Sequence, residues 1–346
     1  MEVAFIVEKL ILVVIVFTVT LVIAMYSTLA ERKIAGFMQD RHGPDRAGIF
    51  GILQPLCDGG KFFFKEEIIP AGAHKSLFIL GPVIAIITAC ISSAVIPWGQ
   101  NLVIDGRSIP LQVADVNIGV LYVFGVIALG VYGIMLGGWA SNNKFSLMGA
   151  IRAASQSISY EIGMGLSLIA LLMVTGTLQL GEIVAQQSGF VNWNIWVQPL
   201  GFLIFITCAF AECNRVPFDL PECETELVGG YHTEYSSMKL GLYMFSEYIN
   251  MFVSSALMAT LYFGGYNFPF MYDLGLSENW ITIIGVLVFF LKIFGFIFFF
   301  MWIRWTLPRF RYDQLMNLGW KILIPLAIAN IVLTGVITLI KDTYFQ

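Results

Sequence analysis

The sequence predicts an all-α polytopic membrane protein, and three observations carry that class. Of its 346 residues, 58% are hydrophobic and only 12% are charged, about half the roughly 25% of a soluble domain. Mean hydropathy is +0.80. The apolar residues fall in continuous runs long enough to cross a bilayer, which takes about 20 residues at 1.5 Å each. Continuous rather than alternating runs exclude a strand barrel. The same figures exclude a soluble nucleotide enzyme, a disulfide-stapled secreted domain and a disordered chain. The net charge of −4 decides little, because placement matters more than the sum.

Eight segments qualify as transmembrane helices: 9–30, 77–98, 116–140, 155–178, 196–213, 239–263, 281–303 and 320–340. The opening MEVAFIVEKL carries acids and no basic leader region, so it reads as a retained first span. The connecting segments alternate in charge. Those after spans one, three, five and seven hold fifteen Lys and Arg, whereas the opposite set holds Arg107 alone. The positive-inside rule therefore places both termini on the outer face and the long first loop inside. No repeat or low-complexity linker divides the chain, so one membrane domain, 1–346, is expected.

Two inner segments are more than connectors. In the first inner loop, 31–76, Ile49, Ile52, Leu53, Leu56, Phe63 and Phe64 oppose Gln54, Asp58, Lys61 and Lys65 at helical spacing. This predicts an amphipathic helix within 45–67, lying in the membrane interface and bent by Pro55 and the Gly59-Gly60 pair. A surface helix under a soluble partner is the alternative. The inner acidic loop, 212–239, holds Glu212, Asp219, Glu222, Glu224, Glu226 and Glu234, with Arg215 the one base among them. Val216, Phe218, Leu220, Leu227 and Val228 interleave with these acids. That mixture predicts a folded polar pocket in preference to a solvated loop.

Charged groups inside spans are costly, on the order of 3 kcal/mol on insertion scales, and usually face a polar interior. Glu161, Glu212 and Glu247 all fall toward the inner ends of their spans. Desolvated carboxylates held together are suited to exchanging protons near neutrality, so the three are expected to form a relay continuing into the acidic loop. Lys292, midway along span seven, is expected to supply a compensating charge. The bland alternative satisfies each acid locally. No span holds a His, and Cys57, Cys90, Cys208, Cys213 and Cys223 lack zinc or iron–sulfur spacing. There is no phosphate-binding glycine loop. The chain is expected to carry no metal and no redox cofactor, and to suit proton handling with a lipophilic ligand.

Four segments then carry a resemblance: ERKIAGFMQDRHGPDRAGIFGILQPLCDGGKFFFKE, GWASNNKFSLMGAIRAASQSISYEIG, AECNRVPFDLPECETELVGGYHTEYSSMKLGLYMFSEY and LPRFRYDQLMNLGWKILIP. In this order, over essentially the whole chain, they closely resemble the H-type membrane subunits of bacterial NADH–quinone oxidoreductase, counterparts of mitochondrial subunit 1 of respiratory complex I. The resemblance implies a component of a translocase, inactive alone, that joins the membrane and peripheral arms in a bacterial inner membrane. It implies quinone, ubiquinone or menaquinone, as substrate, with FMN and iron–sulfur clusters in partner subunits. The partners are then the other complex I subunits, quinone and the lipid bilayer, with no nucleic acid. By similarity Arg32, Arg41, Arg215 and Asp219 line or shape the quinone chamber. Glu161, Glu212, Glu222, Glu224, Glu226, Glu234 and Glu247 match the proton path, and the 45–67 helix flanks the quinone entrance. Cys213, Cys223 and His232 depart from the family pattern without removing a charged group. Two other readings stand beside this one: the equivalent subunit of a membrane-bound hydrogenase or formate hydrogenlyase, and a stand-alone proton-coupled transporter. The transporter is disfavoured by the lack of internal repeats.

Overall fold

The computed structural model describes residues 2–104, 106–220, 227–271 and 275–344. The described residues are mostly helical. In order come α1 (Glu2–Met38), α2 (Gln54–Phe64), α3 (Lys75–Ser92), α4 (Gly119–Ala140), α5 (Lys144–Thr175), α6 (Leu180–Gln186), α7 (Asn194–Val197), α8 (Pro199–Glu212), α9 (Ser237–Tyr262), α10 (Glu278–Thr306), α11 (Tyr312–Asn317) and α12 (Ile324–Tyr344). Among the described residues, six helices are long and apolar enough to cross a membrane: Phe5–Met38, Lys75–Val95, Gly119–Ala140, Lys144–Thr175, Glu278–Thr306 and Tyr312–Tyr344. These make the chain a multi-pass, all-α membrane protein.

The other two expected spans differ for physical reasons. Helix α8 has 14 residues, roughly 21 Å at 1.5 Å per residue, which is short of a hydrocarbon core of about 30 Å. Helix α9 has 26 residues but carries Lys239, Glu247 and several serines. It tolerates them because it lies inside the bundle: Met251, Phe252, Val253, Ala256 and Met258 through Tyr262 are all buried. A helix enclosed by protein need not be apolar all round.

Helix ends follow local chemistry. Expected span four widens to 144–175, because the Asn143 side chain accepts from the Phe145 N–H at 2.9 Å and caps α5. Gly176, at φ +68°, supplies the left-handed residue that ends it. Helix α1 runs on to Met38, so Arg32 and Lys33 sit on a helix rather than in the loop. The amphipathic segment becomes a short 3₁₀ turn, Ile49–Gly51, followed by α2. The expected bend is absent. Pro55 stands at the start of α2, where its missing N–H costs nothing, and Gly59 and Gly60 continue the helix. Before α12 a π-helical stretch, Leu318–Leu323, takes up the disturbance from Pro325, which has no N–H to give the preceding turn.

Close helix contacts use glycine. A Cβ on Gly133 would stand 2.8 Å from the Gly81 carbonyl oxygen and 2.9 Å from the Ala85 nitrogen, so α3 and α4 pack backbone to backbone. One element was not legible in the hydropathy. Asn101–Ile104 (β1) and Arg107–Pro110 (β2) form an antiparallel hairpin. The Asn279 side chain, at the start of α10, bonds both the N–H and the C=O of Val103 and covers that strand's free edge.

Candidate functional site

The segment after α8 folds inward. Gln156 on α5 donates to the Ala211 carbonyl at 2.9 Å, meeting the end of α8. Asn214, at φ +49°, turns the chain, and Val216, Phe218 and Leu220 are buried. Phe218 packs between the rings of Tyr160 and Phe310, with centroids 5.3 and 5.5 Å away. The first part of the acidic loop is therefore folded into the protein rather than solvated.

At its centre is a buried charged knot. Arg215 Nη1 lies 2.9 Å from Glu31 Oε2, and Arg304 Nη1 lies 2.5 Å from Glu31 Oε1. The Tyr248 hydroxyl donates to Glu31 Oε2 at 2.9 Å, and the Arg215 guanidinium stacks 4.2 Å from the Tyr248 ring. Arg215 and Glu31 are 4% and 5% exposed. Burial works against the Arg215 charge, but Glu31, Tyr248 and Glu247 around it outweigh burial and hold the guanidinium above its ordinary range. Its Nε and Nη2 donors have no hydrogen-bond partner among the described residues. Next to the knot along the chain, Arg309 Nη2 pairs with Asp219 Oδ2 at 2.9 Å.

Two of the three span acids meet at one cavity. Glu212 and Glu247 line a small space of about 30 Å³ whose polar side is completed by Ser157, Asn214, Ser246 and Asn250 and whose apolar side is Ala85, Ile127, Val131 and Ile134, enough for one or two waters. A second space of about 20 Å³ joins Glu212 to Asn250 and Ser254. The Tyr231 hydroxyl donates to Glu247 Oε1 at 2.9 Å. Glu212 Oε2 is buried without a hydrogen-bond partner among the described residues. Helix α5 packs along α8 and brings Glu161 within electrostatic reach of Glu212.

The other predicted residues are placed as follows. Glu234 accepts from Asn143 Nδ2 at 2.5 Å and so sits at the start of α5. Glu222, Glu224 and Glu226 lie outside the described residues. Arg32 turns away from its neighbour Glu31 and pairs with Asp58 on α2 at 2.6 Å, while the Arg41 Nε–H donates to Gln39 Oε1 at 2.7 Å in the turn after α1. Lys292 does not join the acids. Its ammonium donates to the carbonyls of Phe263, Gly265 and Asn267 at 2.7, 2.8 and 2.6 Å, with the Trp193 ring 4.8 Å away. That is the far end of α9, about 24 Å along the helix from Glu247 at 1.5 Å per residue.

Sequence reasoning missed Glu31, Tyr248, Arg304, Arg309 and Tyr231. Glu31 and Arg304 carried a usable signal, since each is a charge closing an apolar run. Among the described residues, no group of three or more His, Cys, Asp or Glu side chains is placed to hold a metal ion.

A multi-pass helical bundle with a buried cluster of ion pairs close to carboxylates inside the bundle defines the class. The chain belongs to the NADH dehydrogenase family, whose model matches residues 10–335. It is 70% identical over 333 residues to an NADH–quinone oxidoreductase H subunit of Cytophaga hutchinsonii, covering 96% of this chain and 97% of that one. It is 63% identical over 342 residues to the corresponding H subunit of Flavobacterium psychrophilum, covering 98% and 99%. It is 49% identical over 326 residues to one from Geobacter metallireducens, covering 94% and 95%.

Proposed function

We propose that this chain is the membrane subunit of a proton-translocating NADH–quinone oxidoreductase that helps form the quinone chamber and couples quinone reduction to proton movement. It acts within the complex, as a single membrane domain in a bacterial inner membrane. Helices α8 and α9 complete eight spans, and both termini face outward, as the Lys and Arg asymmetry requires. The observation that carries the reading is the physical continuity of two sites. Arg215 in the charged knot feels the charge of Glu247, and Glu247 shares a water-sized cavity with Glu212.

In this reading Arg215 and Asp219, with their partners Glu31, Arg304 and Arg309, fix the polar wall against which the quinone headgroup is reduced. Arg32 and Arg41 shape the entrance, Arg32 by tying α2 to α1. Reduction of a quinone takes up two protons and two electrons. The electrons come from partner subunits, and this chain supplies charged groups that respond to the new charge. Glu247, Glu212 and Glu161 pass that response or its proton toward the membrane axis, with Glu222, Glu224, Glu226 and Glu234 at the chamber end. Lys292 holds the far end of α9.

The test is a split between acceptors. Arg215→Ala and Asp219→Ala should lower NADH-driven quinone reduction at least tenfold while leaving reduction of hydrophilic artificial acceptors nearly unchanged, since those draw electrons upstream. Equal loss of both activities in a fully assembled complex contradicts the chamber assignment.

A further inference from the structure

Away from the charged pocket, α1 and α3 splay apart, meeting chiefly through the turn Ser93–Val95 that follows α3. The wedge between them is an apolar groove of about 350 Å³, lined by Val13, Val16, Phe17, Ile87, Cys90 and Ile91 and closed at one end by Val113. Its second wall runs from Ile86 on α3 to Ala94 in the turn that follows, about 12 Å at roughly 1.5 Å per residue. One leaflet of a bilayer offers about 15 Å of hydrocarbon. A run of methylenes fills such a space, whereas a partner helix, 10–12 Å across, rides on its rim.

The groove's mouth is charged. Lys9 lies one turn before Val13 on the same face of α1, and its ammonium donates to the Gln112 carbonyl at 2.8 Å, beside Val113. Arg107, on the hairpin, reaches Glu8 at 3.7 Å and keeps 64% of its side chain exposed. Arg107 is the lone Lys or Arg in the connecting segments on that side of the bundle. Lys9 and Arg107 thus stand together, with Glu8 between them, where the rest of the face has almost no positive charge. A crevice filled by bulk lipid has no use for that placement, but a phosphodiester does.

We propose that the α1–α3 groove binds an anionic phospholipid of the leaflet nearest the N-terminus, one acyl chain lying against Val16 and Cys90 and the phosphate beside Lys9 and Arg107. The test uses the whole complex, purified and reconstituted in nanodiscs. Phosphatidylglycerol and phosphatidylcholine, each with a diazirine on one acyl chain, are photolysed and the labelled peptides sequenced. The expected result is labelling of 13–17 and 86–94 at least fivefold stronger with phosphatidylglycerol, against equal labelling of exposed Val336 and Ile337 on α12 by both. Lys9→Gln with Arg107→Gln should bring the ratio toward one. Ile87→Trp, which fills the groove, should suppress labelling by both probes. Equal labelling by the two lipids in the unaltered complex overturns the proposal. So does a ratio untouched by the double variant, or cross-linking of Cys90 to a partner subunit in place of lipid.

Discussion

Glu31 accepts from two guanidiniums and a phenol with its two oxygens, inside protein, so each partner depends on the others. Removing one member of a buried ion pair costs about 3–5 kcal/mol, because the remaining charge is stranded. Glu31→Gln keeps the size but leaves Arg215 and Arg304 without their counter-charge. The expected outcome is less assembled complex on native gels and a lower unfolding temperature, with quinone reduction lost in what assembles. Tyr231→Phe is a milder change. It removes one hydrogen bond to Glu247, worth about 1.5–3 kcal/mol when an ionised partner is involved. Quinone-linked turnover should fall by up to about tenfold to a hundredfold, with NADH oxidation by hydrophilic acceptors unaffected. The residue types in the knot were visible in the sequence, but their pairing was not. Glu31 and Arg215 are 184 positions apart, and nothing local links a helix end to a loop at that distance. The mixed acidic and apolar pattern around Asp219, by contrast, is local, and from it the sequence could anticipate that this segment folds inward, though not that Asp219 pairs with Arg309.

Single helices show how far pattern reading reaches. The six long apolar helices follow from a local requirement, since a span exposed to lipid must be apolar over its whole length. Helices α8 and α9 escape that requirement through shortness or enclosure, and the hairpin is too brief to alter the hydropathy. Lys292 shows the same limit. Its mid-span position suggested a counter-charge for the acids, yet three carbonyls at the end of α9 satisfy its three donors. Gln187 completes that fastening by donating to the Ile183 and Thr260 carbonyls and accepting from the Asn194 and Gly264 N–H groups. Lys292→Met should therefore destabilise the C-terminal end of α9 and lower assembly, measured by native gel and thermal unfolding. Complex that does assemble should keep its ratio of protons moved to electrons transferred. A changed ratio at normal assembly would return Lys292 to the proton path.

The bundle sets a buried charged cluster beside carboxylates in its interior, and the proposed orientation is open to a direct test. Single cysteines at Arg46 and Arg311 should react with impermeant reagents only from the inner side, and one at Asn192 only from the outer side. Reaction at Asn192 from the inner side would overturn the eight-span arrangement. Coupling is the larger claim, and it rests on Glu161, Glu212 and Glu247 carrying charge between the two sites. Gln preserves the size of Glu and much of its hydrogen bonding but cannot exchange a proton, whereas Asp can. The decisive measurement is quinone-linked proton pumping in proteoliposomes by the Gln and Asp variants of these three residues, with assembly matched on native gels. Pumping and quinone turnover should fall together in the Gln variants and be better preserved in the Asp variants. If all three Gln variants assemble and pump at the unaltered rate, the carboxylates are structural and the relay does not exist.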